Sequence, residues 1–276
     1  MNKSTVLAVS HLRKEFRVLS SHRIGKERFV AVDDVSFELA AGGSLAIVGE
    51  SGSGKSTCAR MVMGLERPTA GTIDLAGAPA GESRGRRRRA RQIQMVFQDP
   101  YSSLDPRQTV ESALSECVKL HFGLSKKELH ARVRSLVRDV GLDERHLGVT
   151  PRGMSGGERQ RVAIAKALAA QPAVLVLDEA VAALDVSIQA QILNLLVRIR
   201  AEQGIALLFI SHDLAVVEEV CDDVVVMLRG SIVERGPVHT VLRDPQHSYT
   251  KRLIDSVPRP GWIPRRHVIA ASREGV

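Results

Sequence analysis

A glycine-rich stretch with one lysine has the composition of a phosphate-binding loop. It consists of Gly49, Glu50, Ser51, Gly52, Ser53, Gly54, Lys55, Ser56 and Thr57. Glycines allow the backbone to turn its N–H groups towards a phosphate chain, and Lys55 would supply a cation to the β- and γ-phosphates. Ser56 would then hold magnesium. The spacing predicts a nucleotide-binding loop, and a Gly/Ser-rich turn that binds nothing is the lesser alternative.

Two adjacent carboxylates, Asp178 and Glu179, follow the apolar run at residues 173–177. Ligands of open α/β sheets gather at the carboxyl ends of the strands. Asp178 is therefore suited to holding magnesium, and Glu179 to polarising an attacking water. A solvated turn is the commoner explanation for such a pair alone, but a phosphate loop in the same chain favours the chemical interpretation.

A second anion-seeking motif is formed by Ser155, Gly156 and Gly157. It directly precedes residues 158–170, which contain neither glycine nor proline. A helix beginning there presents free backbone N–H groups and a hydroxyl to an anion. Ser-Gly-Gly alone is weak because linkers use the same residues. Combined with the phosphate loop, it suggests one nucleotide bound from two sides.

Apolar runs that alternate with helical patterns predict the elements that position these residues. The predicted strands are residues 5–9, 35–39, 44–48, 71–77, 93–97, 173–177, 205–210 and 224–228, and the predicted helices are residues 58–63, 125–140, 158–170, 187–202 and 214–221. Ser125 and Glu128 have capping-box spacing. Such alternation predicts a mostly parallel sheet covered on both faces. Residues 19–27 are polar and predict a surface excursion.

Composition restricts the class of protein. The chain has 276 residues, of which 44% are hydrophobic, enough for one large or two modest domains. No apolar run is long enough to span a membrane, and no signal-peptide region opens the chain, so we expect a cytoplasmic protein. An odd number of cysteines suits a reducing compartment. Cys58, Cys117 and Cys221 are predicted to be buried thiols.

The net charge of +8 is local in origin, because removing six arginines lowers it to +2. They are Arg84, Arg86, Arg87, Arg88, Arg89 and Arg91. Such a run usually forms a solvated loop or helix end. Contact with anionic lipid or an acidic partner is the alternative. Nucleic-acid binding is disfavoured because only 3% of the residues are aromatic.

Taken together, these motifs resemble a known family. Residues 154–161 are similar to the ABC signature motif, and the series continues with the phosphate loop, Gln98, Asp178 and Glu179, Leu184 and Asp185, and Ser211, His212 and Asp213. Along almost its whole length the chain resembles an ABC-transporter ATPase subunit. The resemblance implies a P-loop NTPase of ABC type: an α/β fold with a mostly parallel sheet core, an antiparallel β subdomain and an inserted helical subdomain.

The same resemblance implies a domain plan and an assembly. The ABC ATPase domain would cover residues 1–246, with the helical subdomain at about 99–170, and a C-terminal extension would cover residues 247–276. ATP and Mg²⁺ are the implied cofactors. Two such domains would pair head to tail, so that each nucleotide lies between the phosphate loop of one subunit and the signature helix of the other.

Residue roles also follow from the resemblance. Glu179 would be the general base, Gln98 the glutamine that senses magnesium and water, and His212 the switch that contacts the γ-phosphate; with Lys55 they form the implied catalytic set. The implied magnesium ligands are Ser56, Gln98 and Asp178. Nucleotide contacts would come from residues 49–57, Ser155, Gly156, Gly157, Glu158, Asp185 and an adenine-stacking Phe16, with Phe29 as the second choice.

Three positions depart from the family pattern. Glu158 replaces the usual glutamine of the signature and places a negative charge near the nucleotide. Ala180 replaces the usual proline after the catalytic glutamate, and Ala182 and Ala183 stand where a serine is common. None of these changes removes a catalytic group, but a partner ATPase subunit of different sequence becomes plausible.

Residues 96–107, 184–193, 247–253 and 258–260 are similar to the oligopeptide, dipeptide and nickel importer group. We therefore expect an ATP-hydrolysing motor for peptide uptake, peripheral on the cytoplasmic face of the membrane. Its partners would be two integral-membrane permease subunits, a second ABC ATPase and, indirectly, an extracytoplasmic substrate-binding protein, with no nucleic acid and no iron–sulfur cluster. A nickel or metal-chelate importer is the first alternative, and a non-transport subunit of a carbon–phosphorus lyase-type complex the second.

Overall fold

The computed structural model describes residues 4–19, 26–75, 78–79, 85–99 and 103–256. The strands are β1 Thr5–Leu19, β2 Lys26–Ala40, β3 Ser44–Val48, β4 Ala70–Leu75, β5 Ala78–Pro79, β6 Ile93–Val96, β7 Val174–Asp178, β8 Ala206–Ser211, β9 Asp223–Leu228 and β10 Ser231–Pro237. The helices are α1 Lys55–Met63, α2 Gly85–Gln92, α3 Val110–His121, α4 Lys126–Asp139, α5 Gly156–Leu168, α6 Val186–Gln203, α7 Leu214–Val220, α8 Val238–Arg243 and α9 Ser248–Asp255. Residues 100–102, Arg84 and the tail 257–276, including 258–260, lie outside the described residues.

The strands form two sheets. The larger sheet has the order β10-β9-β3-β8-β7-β6; β9, β3, β8, β7 and β6 run parallel and β10 antiparallel. The smaller sheet has the order β2-β1-β4-β5 and is antiparallel. The predicted α/β fold, with a mostly parallel core sheet and a separate antiparallel sheet, is confirmed.

Both faces of the large sheet are covered, and strand alternation divides its side chains between two cores. In β7, Val174 and Val176 pack into the core that includes α1 and the antiparallel sheet. Leu175 and Leu177 pack into the core that includes the helices on the other face. Because both faces exclude water, the strand is apolar throughout rather than alternating with polar residues.

Helices α3, α4 and α5 lie between β6 and β7 in the chain. The predicted capping box of α4 is confirmed, because Ser125 and Glu128 cap each other across the helix start. Helix α3 was absent from the sequence prediction. It begins after Thr109, whose side chain accepts a hydrogen bond from the Ser112 backbone N–H, and it buries Val110, Ala113, Leu114 and Val118.

The hairpin of β1 and β2 is longer than the sequence predicted. The predicted strands at 5–9 and 35–39 extend into a polar region, where Leu19 pairs with Lys26, so residues 19–27 are not wholly a surface excursion. Backbone hydrogen bonds hold a two-stranded ribbon whatever the polarity of its side chains, and for this reason hydrophobic alternation underestimated the strands. Residues 20–25 are outside the described part of the chain.

Five of the six arginines of the run, which the sequence predicts to be a solvated loop or helix end, lie in helix α2. Arg89 is partly buried and donates a hydrogen bond from Nη2 to the carbonyl oxygen of Val62, near the end of α1. Burial lowers the pKa of Arg89. A cation interacts favourably with the free carbonyl groups at the C-terminal end of a helix. Arg89 therefore has a packing partner in α1, which the net charge of the run does not reveal.

The prediction of three buried thiols was wrong for Cys117, which is only partly buried. Cys58 and Cys221 are buried, and burial raises the pKa of the Cys58 thiol to about 12. All three cysteines are free thiols. Among the described residues, no helix is long and apolar enough to cross a membrane.

We expect Arg89→Ala to lower the free energy of unfolding by about 1 kcal/mol, the usual net worth of a hydrogen bond lost from a partly buried site. Arg88→Ala is the matched control, because Arg88 is exposed on the same helix and should change stability by less than about 0.5 kcal/mol. Urea denaturation measures both values. Equal stability of the two variants would refute the packing role of Arg89.

Candidate functional site

The phosphate loop connects the end of β3 to the start of α1 and packs against the backbone of β9 and β2. A Cβ atom at Gly49, where φ is +147°, would lie 2.3 Å from the carbonyl oxygen of Met227 in β9. A Cβ atom at Gly54, where φ is +103°, would lie 2.4 Å from the carbonyl oxygen of Ala31 in β2. Only glycine tolerates both the close approach and these backbone angles.

Lys55 is buried at the start of α1, with 6% of its surface exposed. Its Nζ donates hydrogen bonds to the carbonyl oxygens of Gly49 at 2.7 Å and Glu50 at 2.8 Å. Burial lowers the pKa of Lys55, whereas the charges of Glu179, Asp178 and Glu50 oppose that shift. The ammonium is thus bonded to neutral carbonyls in a poorly solvated position, an arrangement that favours an incoming anion.

Ser53 supplies an independent indication that the loop holds a ligand. Its side chain is buried, with 4% exposure, and its Oγ has no hydrogen-bond partner among the described residues. Buried hydroxyls rarely remain unpaired, and an unpaired one in a glycine-rich loop that leads into a helix N-terminus fits a phosphate oxygen. The loop therefore suits the phosphate chain of a nucleotide.

Asp178 ends β7 next to Ser56, whose Oγ donates a hydrogen bond to Asp178 Oδ1 at 3.4 Å. Burial, followed by the charge of Glu179, raises the pKa of Asp178. Mg²⁺ takes oxygen ligands and is usually held by one or two protein groups together with phosphates and water. No cluster of three His, Cys, Asp or Glu side chains in the described chain could hold a metal by itself. Ser56 and Asp178 fit a magnesium ion that is shared with a nucleotide.

Glu179 and His212 meet because they follow neighbouring parallel strands, β7 and β8. His212 Nδ1 lies 3.1 Å from Glu179 Oε1, and the Glu179 backbone N–H donates to the Ile210 carbonyl oxygen at 2.9 Å. Glu179 has φ of +48°, an unfavourable conformation for a glutamate of the kind that persists at functional sites. A carboxylate held in this way can accept a proton from a water molecule.

Gln98 is exposed two residues beyond β6. Val96, the last residue of β6, pairs with Leu177 of β7, so Gln98 follows the strand next to the one that carries Asp178. Its part in holding magnesium stays a prediction.

The signature residues cap helix α5. The Glu158 backbone N–H donates to Ser155 Oγ at 3.3 Å, and the Ser155 N–H donates to Glu158 Oε2 at 2.8 Å. Glu158 Oε1 also lies 3.1 Å from His146 Nε2. The Ser155 backbone and side-chain hydrogen bonds, and then His146, hold the pKa of Glu158 below its usual range. The Glu158 carboxylate, which stands where the family pattern has glutamine, is thus bonded to Ser155 and His146 of its own chain.

Close helix packing fixes the direction of the signature helix. A Cβ atom at Gly157 would lie 2.6 Å from Ile188 Cγ2 in α6. Asp185 caps α6, because its Oδ1 accepts hydrogen bonds from the Ile188 N–H at 3.0 Å and from Ser187 Oγ at 2.7 Å. Where the structure describes the chain, no hydrogen bond or ion pair joins residues 155–158 or Asp185 to residues 49–57. The bonds of these residues are instead local to the starts of α5 and α6.

Phe16 and Phe29 face each other across β1 and β2. The Lys14 ammonium lies 4.9 Å from the centre of the Phe16 ring, whereas Phe29 is 52% exposed. Ala31, two residues from Phe29, touches the phosphate loop at Gly54. Both rings thus belong to the sheet that backs the loop, and the assignment of adenine stacking to Phe16 stays a prediction.

Two neighbours of the site were not identified from the sequence. His146 contacts Glu158, and the hydroxyl of Tyr249 accepts a hydrogen bond from the Glu50 backbone N–H at 2.9 Å. Tyr249 is 199 residues from Glu50 in the chain, so no local pattern could have joined them. Residues 247–253, which contain Tyr249, resemble importer subunits, but this resemblance gives no contact with the phosphate loop.

The chain is similar to known proteins of one family. The profile of the ABC transporter family matches residues 32–182. A di/tripeptide transport ATP-binding protein of Pseudomonas aeruginosa is 45% identical over 256 residues, which are 92% of this chain and 79% of that protein. An oligopeptide transport ATP-binding protein of Mycobacterium tuberculosis is 46% identical over 263 residues, but this chain spans only 42% of its length.

Among solved structures, the chain is similar to an ATP-binding cassette in a dimeric post-hydrolysis state bound to ADP and Pi. The TM-score is 0.73 and the sequence identity 25%, over 84% of this chain and 98% of that one.

The capping box of α5 gives a pH-dependent prediction. Because the folded protein lowers the pKa of Glu158, its ionised form stabilises the fold at neutral pH, and this contribution is lost as the pH falls through and below the ordinary glutamate range. Glu158→Gln keeps a capping side chain but cannot titrate. Urea denaturation between about pH 6 and about pH 3 should show a shallower loss of stability in this variant than in wild type.

The matched control is Glu219→Gln, which replaces an exposed glutamate of α7. It should retain the slope of the wild-type protein. The same slope for Glu158→Gln and wild type would contradict the prediction.

Proposed function

This chain belongs to the ABC transporter family, and from that premise we propose that it is the ATP-hydrolysing subunit of an importer for di- and oligopeptides. ATP hydrolysis coupled to transport is the activity of the family. The peptide cargo is supported by the two relatives described above, a di/tripeptide and an oligopeptide transport protein. These relatives favour peptides over nickel.

The observation that carries the proposal is the convergence of Lys55, Asp178 and Glu179 at one edge of the parallel sheet. Lys55 would bind the β- and γ-phosphates after leaving the carbonyls of Gly49 and Glu50. Magnesium bound to Ser56 and Asp178 would neutralise phosphate charge. The Glu179 carboxylate would take a proton from the attacking water, with His212 holding its Oε1 and reaching towards the γ-phosphate.

We also propose that two ATPase subunits, identical or homologous, pair head to tail. Among the described residues, the signature residues and Asp185 make no hydrogen bond to the phosphate loop, yet they cap helix N-termini of the kind that suits an anion. A second subunit would bring its signature helix to the nucleotide. The relative described above as a dimeric cassette supports this arrangement.

The remaining partners follow from the importer assignment. Two integral-membrane permease subunits would form the pathway, and an extracytoplasmic binding protein would deliver the peptide. The chain would be peripheral on the cytoplasmic face of the membrane.

We expect Glu179→Gln to retain ATP binding and to reduce ATP hydrolysis by about 10²- to 10⁴-fold, because the general base is lost while the phosphate loop remains. A nucleotide-bound dimer should accumulate. Phosphate release and size-exclusion chromatography with ATP measure the two effects. Glu202→Gln, at an exposed position of α6, is the control and should hydrolyse ATP normally. Near-normal hydrolysis by Glu179→Gln would remove Glu179 from its role.

The transport assignment is tested by isolating the chain under native conditions from detergent-solubilised cells and identifying its stoichiometric partners by mass spectrometry. We expect two multi-spanning membrane proteins, with or without a second ATPase. Recovery of soluble enzymes alone would overturn the transport role and favour a carbon–phosphorus lyase-type complex. The ATPase chemistry of Lys55, Asp178 and Glu179 would be unaffected by that outcome.

A further inference from the structure

In the first peptide unit of the phosphate loop, which joins Gly49 to Glu50, both the carbonyl and the N–H group are hydrogen-bonded. The carbonyl oxygen of Gly49 accepts a hydrogen bond from Lys55 Nζ at 2.7 Å. The N–H of Glu50, which belongs to the same planar peptide unit, donates to the Tyr249 hydroxyl at 2.9 Å. A peptide group is rigid, so the two bonds together determine how this unit is turned.

This peptide needs an external restraint because it follows a glycine. Gly49 has φ of +147°, and glycine crosses between such conformations with little steric penalty. Rotation of the peptide would redirect the Gly49 carbonyl and move the hydrogen-bond acceptor of Lys55. The hydrogen bond from the Glu50 N–H to the Tyr249 hydroxyl, on the opposite side of the peptide, opposes that rotation.

Tyr249 is well placed to provide the restraint. It lies in the first turn of α9 with 2% of its surface exposed, and Leu253 and Ile254 of the same helix are buried in the same core. A ring packed in this way keeps its hydroxyl at a fixed position. Buried tyrosine hydroxyls normally find a hydrogen-bond partner, and here a partner is a backbone group of the nucleotide site.

The start of α9 is itself tied to the large sheet. Glu234 of β10 accepts hydrogen bonds from the backbone N–H groups of Gln246 at 2.7 Å and His247 at 3.1 Å. His247 Nδ1 then accepts a hydrogen bond from the Tyr249 N–H at 3.2 Å and caps the helix. A chain of contacts therefore runs from β10 through α9 to the phosphate loop.

We propose that Tyr249 is a positioning residue for nucleotide binding: its hydroxyl orients the Gly49–Glu50 peptide, and through it Lys55, so that the phosphate loop is formed before the nucleotide arrives. The assignment rests on the proposed role of this loop in ATP binding. It gives the segment after β10 a part in the nucleotide site. Preorganisation of this kind raises affinity by reducing the ordering that binding requires.

The test is Tyr249→Phe in the full chain, which keeps the packed ring and removes only the hydroxyl. The Kd for ATP, measured by calorimetry, should rise about threefold to tenfold, the range expected for one hydrogen bond. The KM for ATP should rise by a similar factor while kcat stays within about twofold, because the restraint acts equally before and during the reaction. Amide exchange of nucleotide-free protein should quicken at residues 49–54 and stay unchanged in α9.

Thr250→Val is the matched control. Thr250 is 1% exposed on the same helix, and within the described chain its hydroxyl makes no hydrogen bond to the phosphate loop. This variant can lower the melting temperature but should leave the Kd for ATP unchanged. A wild-type Kd and KM in Tyr249→Phe would overturn the proposal. So would an equal loss of affinity in both variants, because it would trace the effect to the stability of α9.

Lys55→Ala separates this inference from the function on which it rests. Wild-type protein that binds ATP, with binding lost in Lys55→Ala, establishes the loop as the nucleotide site. Absence of ATP binding by the wild-type chain would overturn both the proposed function and the inference. Retained wild-type binding with an unaffected Tyr249→Phe would overturn the inference alone.

Discussion

The site depends on the parallel alignment of three neighbouring strands, β3, β8 and β7. Val48 pairs with Ser211, and Asp178 pairs with Ile210, so the strands end at one edge of the sheet. The phosphate loop, His212 and Glu179 each follow one of these ends. Slippage of β7 by one residue would exchange its two faces, burying Asp178 where a leucine belongs. The two cores that hold the register therefore also hold the phosphate loop, His212 and Glu179 at one edge of the sheet.

Lys55, Asp178 and Glu179 bring one positive and two negative charges close together at this edge of the sheet. Burial lowers the pKa of Lys55, and burial together with Glu179 raises the pKa of Asp178. The lysine is bonded to loop carbonyls, and Asp178 accepts its hydrogen bond from Ser56. A cation and two carboxylates in one poorly solvated region leave room for a phosphate chain and a divalent cation to satisfy both signs of charge.

The signature residues and Asp185 lie at the starts of two separate helices. Ser155 and Glu158 cap α5, and Asp185 caps α6, by hydrogen bonds that are complete within a few residues. These caps fix two helix N-termini that have no bond to the phosphate loop within the described part of this chain. The same local interactions stabilise the helices, and the Glu158 carboxylate contacts His146 of its own chain.

The sequence by itself determined what depends on nearby residues: the glycine spacing of the phosphate loop, the Ser125–Glu128 capping box, and the apolar strand that delivers Asp178 and Glu179. These features are encoded by periodicity and short-range hydrogen bonding, which a linear pattern contains. The motif order also identified the family. The polar outer half of the β1–β2 hairpin escaped prediction because backbone pairing leaves no hydrophobic alternation there.

Only the tertiary structure decided which distant groups meet. Arg89 reaches the end of α1 across 27 residues, and Tyr249 reaches the phosphate loop across 199. Neither residue differs in type from many arginines and tyrosines whose side chains are solvated or simply packed. Their partners are determined by how the helices pack on the sheet. This packing depends on the whole core rather than on any single stretch of the chain.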